Sequence, residues 1–263
     1  MSRPTLRPLA AAARLLGVAA PLALGACASS PPTPAAPPGA AAPHADPEAP
    51  MPTPDDAHAH HGHHGHHGHA LDQTRFDDAS AWTAVFDDPA RDAWQRPDEV
   101  LRVLVDRDDL AVADIGAGTG YFASRFARAL PKGHVFGVDI APKMVEHLNT
   151  RAREEGLANL EAHVAPPEDA RLGALGRPLD LVFLCNTYHH VNDRTSYFRE
   201  VRRHLAPGGR LAIVDFKTDS HRGPPAEYKL AAEAVVAELT AAGYALAARH
   251  DELLPDQYVL VFR

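Results

Sequence analysis

The stretch Ala113–Phe122, ADIGAGTGYF, constrains the fold of this chain more than any other. It closes an apolar run with Asp114, then sets Gly116, Gly118 and Gly120 at alternate positions before an amphipathic segment begins. Glycine reaches positive φ at little steric cost and lets a ligand come close to the backbone. Three such residues between a strand and a helix make a turn that wraps a ligand. A dinucleotide-binding turn has the spacing G-x-G-x-x-G, with the pyrophosphate over the helix N-terminus. Here the third glycine comes one residue early and Tyr121 occupies the sixth position, so the loop is of another kind.

From Val112 onward, short apolar runs alternate with amphipathic segments. The pattern predicts strands at 111–115, 134–138, 160–164, 179–185, 210–216, 244–250 and 256–262. It predicts helices at 120–130, 142–155, 195–205 and 225–242. Strand–helix alternation with short loops means a mostly parallel sheet covered on both faces. The last two strands leave no room for a helix between them and must form an antiparallel hairpin. Before the sheet come two helix-like stretches, Ala79–Phe86 and Pro97–Asp106, with the charged and aromatic segment FDDPARDAWQRP between them. The fold class is therefore α/β, a doubly wound seven-stranded sheet with a C-terminal antiparallel hairpin and an N-terminal helical lid.

The run D-x-G-x-G-x-G, Asp114 to Gly120, resembles motif I of class I S-adenosylmethionine-dependent methyltransferases. In that family the loop wraps the amino-acid end of the cofactor, and the acidic residue helps to hold its ammonium. The companions fit the resemblance. HVFGVD ends in Asp139, about 20 residues past the loop, where an acidic side chain takes both ribose hydroxyls, with Ile140 beside it. LEAHV is followed by APPEDA, and the resemblance makes Asp169, with Glu168 close behind, the residue that meets the adenine amino group. LDLVFLCN leads into TYHHV, with Asn186 on the cofactor side, and LAPGGRLAIVDF supplies the helix end, the turn and the fifth strand. The resemblance covers about 111–263 and implies a Rossmann-like methyltransferase fold, S-adenosylmethionine as cofactor and a small-molecule acceptor. FDDPARDAWQRP together with NTYHHVNDR looks like a bacterial branch of this superfamily, some of whose members carry export signals.

Methyl transfer from a sulfonium is an in-line displacement, so the protein mainly positions the acceptor and removes a proton where one must leave. The loop after strand four holds Asn186, Thr187, Tyr188, His189, His190 and Asn192. His189 and His190 are the general-base candidates, with His189 favoured because it follows the strand sooner. Asn192 or Asp193 caps the next helix ahead of Arg194. Trp94, Gln95 and Arg96 are candidates for the inner face of the lid. Arg96 meets a carboxylate of cofactor or substrate there, or else pairs on the surface. Cys185 reads as a packed core thiol. No metal ligands are assigned within the folded part.

The chain opens with Arg3, Arg7 and Arg14, the apolar stretch Leu15–Leu24, and then Gly25, Ala26 and Cys27. Such a core is too short to span a bilayer, which needs about 20 apolar residues, and reads as an export signal. Leu24 to Cys27 resembles a bacterial lipobox, in which the cysteine carries the lipid, and Ala28 points to the outer membrane facing the periplasm. The expected organisation is a signal at 1–27, a linker at 28–70, and a methyltransferase domain at 71–263 with its helical lid at 71–110. The linker is rich in Pro and Ala, cannot bury enough apolar surface to fold, and carries the tract His58–His69. That tract either captures metal ions weakly or is a solvated low-complexity spacer.

The formal net charge of -8, with no basic block outside the leader, argues against a nucleic-acid partner. Membrane contact is expected only through the lipid anchor. S-adenosylmethionine is made in the cytoplasm, which sets export against catalysis. One alternative is an exported non-catalytic module that binds a nucleoside or metabolite, with the histidine tract recruiting metal. Another is a shorter cytoplasmic enzyme beginning near Met51.

Overall fold

Five apolar runs, each followed by a connection that recrosses the sheet, form the parallel strands β1 (Ala111–Ile115), β2 (His134–Asp139), β3 (Leu160–Val164), β4 (Leu179–Cys185) and β5 (Leu205–Phe216). Two more strands, β6 (Leu246–His250) and β7 (Gln257–Phe262), complete the sheet in the order β3-β2-β1-β4-β5-β7-β6. In this computed structural model the described residues are 79–263. The expected signal, the expected linker with its tract His58–His69, and residues 71–78 of the expected lid lie outside them. Among the described residues no helix is long and apolar enough to cross a membrane.

Strands β1 to β5 pair in parallel, and β7 runs antiparallel to both β5 and β6. The antiparallel pair is thus seated with β7 inside and β6 at the edge. The helices are α1 (Ala79–Phe86), α2 (Arg91–Gln95), α3 (Pro97–Leu104), α4 (Ala123–Ala129), α5 (Pro142–Glu154), α6 (Arg194–Arg202) and α7 (Ala232–Ala241). Alternate strand residues serve opposite faces. Val112, Leu181, Phe183 and Val214 pack with Val100 and Leu104 of α3, Phe126 of α4 and Leu148 of α5. Ala113, Val182, Leu184 and Ile213 pack with Phe198 of α6 and Leu239 of α7. Both faces are buried, as a parallel sheet requires.

The strand order reverses between β1 and β4: the chain leaves β1 for β2 on one side, and crosses back from β3 to β4 on the other. In an open α/β sheet that switch point is where a crevice opens outside the carboxyl ends of the strands.

Several element boundaries differ from the sequence expectation for local reasons. The helix expected from residue 120 begins at Ala123, because Gly120 takes φ +90 and prolongs the turn. The helix expected to 205 ends at Arg202, and Leu205 pairs with Leu179 as the first residue of β5. The helix expected from 225 is broken. Pro224 and Pro225 precede a single turn at Ala226–Tyr228, and α7 starts at Ala232. Helix α2 was not expected at all. It ends at Gln95 because Arg96, preceding Pro97, avoids the helical region and sits at φ 42, while Pro97 opens α3 at its first position.

Candidate functional site

The loop after β1 is shaped by close neighbours as well as by its ligand-facing side. A Cβ on Gly116 would lie 2.3 Å from Thr187 Oγ1, and one on Gly120 would lie 2.2 Å from Leu148 Cδ1. Both glycines also hold positive φ, so only glycine fits. Gly118 N–H donates to Asp139 Oδ2 at 2.8 Å, and Ala141 N–H donates to Asp139 Oδ1 at 2.9 Å. Asp139 therefore belongs to the loop by direct bonding, not only by spacing. Its burial raises its pKa, and the N–H groups of Ala141, Gly118 and Ile140 oppose that rise.

Asp114 closes β1 and is 3 % exposed. Burial first, then the charge of Asp139, push its pKa up to about 7, while Arg91 and the Ala123 N–H hold it down. Thr119 Oγ1 is buried in the same loop with no hydrogen-bond partner among the described residues. Two recessed carboxylates, an orphaned hydroxyl and a glycine cradle at the switch point suit a compact ligand that bears positive charge and hydroxyl groups.

The lid is fastened to this loop by side chains. Tyr121 lies between two guanidinium groups, Arg91 at 3.8 Å and Arg125 at 4.0 Å from the ring centroid. Its hydroxyl donates to Asp92, which Arg125 also grips at 2.8 and 3.0 Å. Arg151 of α5 donates to Asp87 and to the Thr119 carbonyl, each at 3.1 Å.

Gln95 is fully buried and donates to Cys185 Sγ at 2.9 Å and to Gln257 Oε1 at 2.8 Å. Gln257 in turn donates to Asn186 Oδ1. Asn186 holds φ +56, a strained value that such polar bonding fixes. Cys185 is packed, and burial raises its thiol pKa. Trp94 stacks on Phe216 at 5.9 Å. Trp94 and Gln95 thus face inward as expected, whereas Arg96 is exposed and donates to the Leu253 carbonyl at 3.3 Å.

His189 follows β4 in a single 3-10 turn, Tyr188–His190. Its Nδ1 lies 2.9 Å from Asp215 Oδ2 and 3.0 Å from Oδ1. The two side chains are 5 % and 4 % exposed. Asp215 ends β5 beside β4, and its Oδ1 also accepts from the Phe216 N–H at 2.9 Å. An imidazole whose Nδ1–H donates a hydrogen bond to a carboxylate keeps the Nε2 lone pair for a proton acceptor's role. The His190 ring lies 4.1 Å from that of His189. Asp193 is the cap of α6, accepting from Ser196 N–H at 3.4 Å.

Asp169 is exposed and its Oδ1 accepts from the Arg171 N–H at 2.8 Å, closing its own turn, and Glu168 is exposed beside it. Among the described residues no three metal-ligating side chains are gathered together.

Three residues of the site escape sequence reasoning. Asp215 becomes visible only through the pairing of Cys185 with Val214, which sets the ends of β4 and β5 side by side. Arg91 and Gln257 require the docking of α2 and the position of β7.

A seven-stranded sheet in this order, with a glycine loop at β1 and acidic residues ending β1 and β2, defines the class I methyltransferase fold. Residues 112–209 match the family described as methyltransferase domain. It is 27 % identical over 129 residues to a ubiquinone/menaquinone biosynthesis C-methyltransferase of Shewanella frigidimarina, covering 49 % of this chain and 50 % of that protein. It is 33 % identical over 156 residues to a trans-aconitate 2-methyltransferase of Azoarcus sp., covering 56 % and 58 %. The chain thus spans about half the length of the curated relatives it matches. A crystal structure of a SAM-dependent methyltransferase from Aquifex aeolicus shares the fold, with a TM-score of 0.63 and 24 % identity over 70 % of this chain and 97 % of that one. So does magnesium protoporphyrin IX methyltransferase from Synechocystis with bound SAH, with a TM-score of 0.56 and 18 % identity over 72 % and 96 %.

Proposed function

We propose that this protein is an S-adenosylmethionine-dependent methyltransferase acting on a small-molecule acceptor. The observation that carries the reading is the bonding of Asp139 to the Gly118 N–H beside the recessed Asp114. Asp139 binds the ribose hydroxyls and Asp114 the ammonium. The backbone of Gly116, Gly118 and Gly120 lies along the cofactor, with Ile140 and Asp169 toward the adenine and Asn186 toward the methionine. When bound, the cofactor supplies an electrophilic methyl group on a sulfonium. The residues of the chain orient the acceptor and handle its proton. His189, oriented by Asp215, accepts that proton at Nε2, and His190 is the second candidate. One relative is named for methylation of trans-aconitate and another for ubiquinone/menaquinone biosynthesis, which supports a small-molecule acceptor here.

Calorimetric titration of the full chain with S-adenosylmethionine and S-adenosylhomocysteine tests the reading. Micromolar binding of both is expected. A folded protein that binds neither would overturn it and favour the non-catalytic binding module.

We propose also that residues 1–27 are a lipoprotein signal, that Cys27 anchors the chain at the outer membrane facing the periplasm, and that 28–70 is the linker. The support is the sequence pattern of a basic head, short apolar core and small-residue exit. The tract His58–His69 is proposed to take up metal ions weakly, apart from the methyl-transfer site.

A further inference from the structure

Three arginines gather at the glycine loop and lid, and two of them have carboxylate partners. Arg125 pairs with Asp92 at 2.8 Å and Arg151 with Asp87 at 3.1 Å. Arg91 has no carboxylate at ion-pair distance among the described residues. Its Nε donates to Gln95 Oε1, its Nη1 donates to the Phe86 carbonyl at 2.6 Å, and its plane lies on Tyr121. These contacts hold the guanidinium still and half-buried, close enough to Asp114 and Cys185 to act on both electrostatically. A desolvated cation without an anion is costly, and a planar guanidinium suits a carboxylate. The site therefore offers one recessed negative group, Asp114, and one fixed positive group, Arg91, too far apart to pair with each other. An α-amino acid end carries the complementary pair of charges.

Resting on the methyltransferase reading, we propose that Arg91 binds the α-carboxylate at the methionine end of the cofactor. This places the residue that reads the carboxylate on α2, the helix that also carries Trp94 and Gln95. Carboxylate binding and lid docking then share one side chain. Arg96, the lid arginine that the sequence suggested for a carboxylate, points away to Leu253.

The test compares two ligands on the full chain by calorimetry, S-adenosylmethionine and its decarboxylated analogue, with Arg91→Met and Arg91→Lys. Loss of a charge-assisted hydrogen bond is expected to weaken S-adenosylmethionine binding by about 10–100-fold in Arg91→Met. The decarboxylated analogue lacks the group that Arg91 reads and feels only the loosened lid, so its loss in Arg91→Met should be smaller than that of S-adenosylmethionine by about tenfold or more. Arg91→Lys should fall between the two for S-adenosylmethionine alone, and it serves if Arg91→Met does not fold. An equal loss for both ligands would overturn the proposal in favour of a packing role. Unchanged S-adenosylmethionine affinity would overturn it as well. A wild-type chain that binds neither ligand would overturn the methyltransferase reading, and this assignment with it.

Discussion

Asp114 carries an electrostatic cost that can be measured without any ligand. Its pKa in the folded chain is about 7, raised by burial and by Asp139, against about 3.9 for an unfolded aspartate. A carboxyl group whose pKa rises on folding binds more protons in the native state between those two values. Stability is then greatest below the lower value and falls as pH rises through the upper one. Asp114→Asn removes this dependence. The unliganded variant should melt higher than wild type at about pH 8, and the gap should close toward about pH 4. Each kcal/mol recovered is worth about 2–4 °C for a domain of this size. A gap that does not change with pH, in calorimetric melts across that range, would refute the assignment.

His189 makes a different prediction, because it holds no position in the glycine cradle. His189→Ala should leave cofactor affinity within about twofold and cut methyl transfer by about 100-fold or more. The measurement is transfer of labelled methyl to a small-molecule extract, set beside calorimetry. Equal losses in both would mark the histidine as structural. Asp114, the glycines, Asp139 and His189 were all legible in the sequence, because each lies within a short segment of fixed spacing. Asp215 was not, because its partnership with His189 spans 26 residues and is created by strand pairing.

At the scale of elements, the lid is held to the first helix after the glycine loop by one aromatic residue. Tyr121 occupies the position where a dinucleotide fold has its third glycine, and it meets Arg91, Asp92 and Arg125. Of the two cation–π contacts only that with Arg91 crosses to the lid, worth about 0.5–2 kcal/mol, and its loss together with the hydroxyl's bond to Asp92 should raise the open population of the lid about tenfold or more. Tyr121→Ala should therefore speed tryptic cleavage after Arg91 by a similar factor, while Tyr121→Phe keeps the stacking and moves less. Cleavage rates that do not differ between Tyr121→Ala and wild type would separate lid docking from this residue.

Strands β1 and β4 were legible to the residue because their apolar runs mark strands buried on both faces, and β3 because LEAHV alternates as a half-buried edge strand does. Helix α2 was not, because five residues with mixed charge carry no helical period. What fixes it is tertiary, the burial of Gln95 against Gln257 and the stacking of Arg91 on Tyr121.

At the scale of the whole molecule, the architecture was legible because alternating strands and helices admit few topologies. The placement of β7 between β5 and β6 was not, since a hairpin signal gives the pairing of its two strands but not which one docks on the sheet. That placement brings Gln257 to the site, so the last strand in the chain completes a polar network begun by the lid. The remaining question at this scale is where the molecule stands. A lipid on Cys27 would add about 0.8 kcal/mol of membrane affinity for each buried methylene, and stable anchoring takes more than one acyl chain. A diacylated cysteine meets that requirement, and a serine at the same position cannot be lipidated through sulfur. Cys27→Ser should therefore move the chain from the membrane pellet to the soluble fraction on cell fractionation. A wild-type chain found in the soluble fraction would refute the anchor and favour the shorter cytoplasmic enzyme beginning near Met51, where S-adenosylmethionine is at hand.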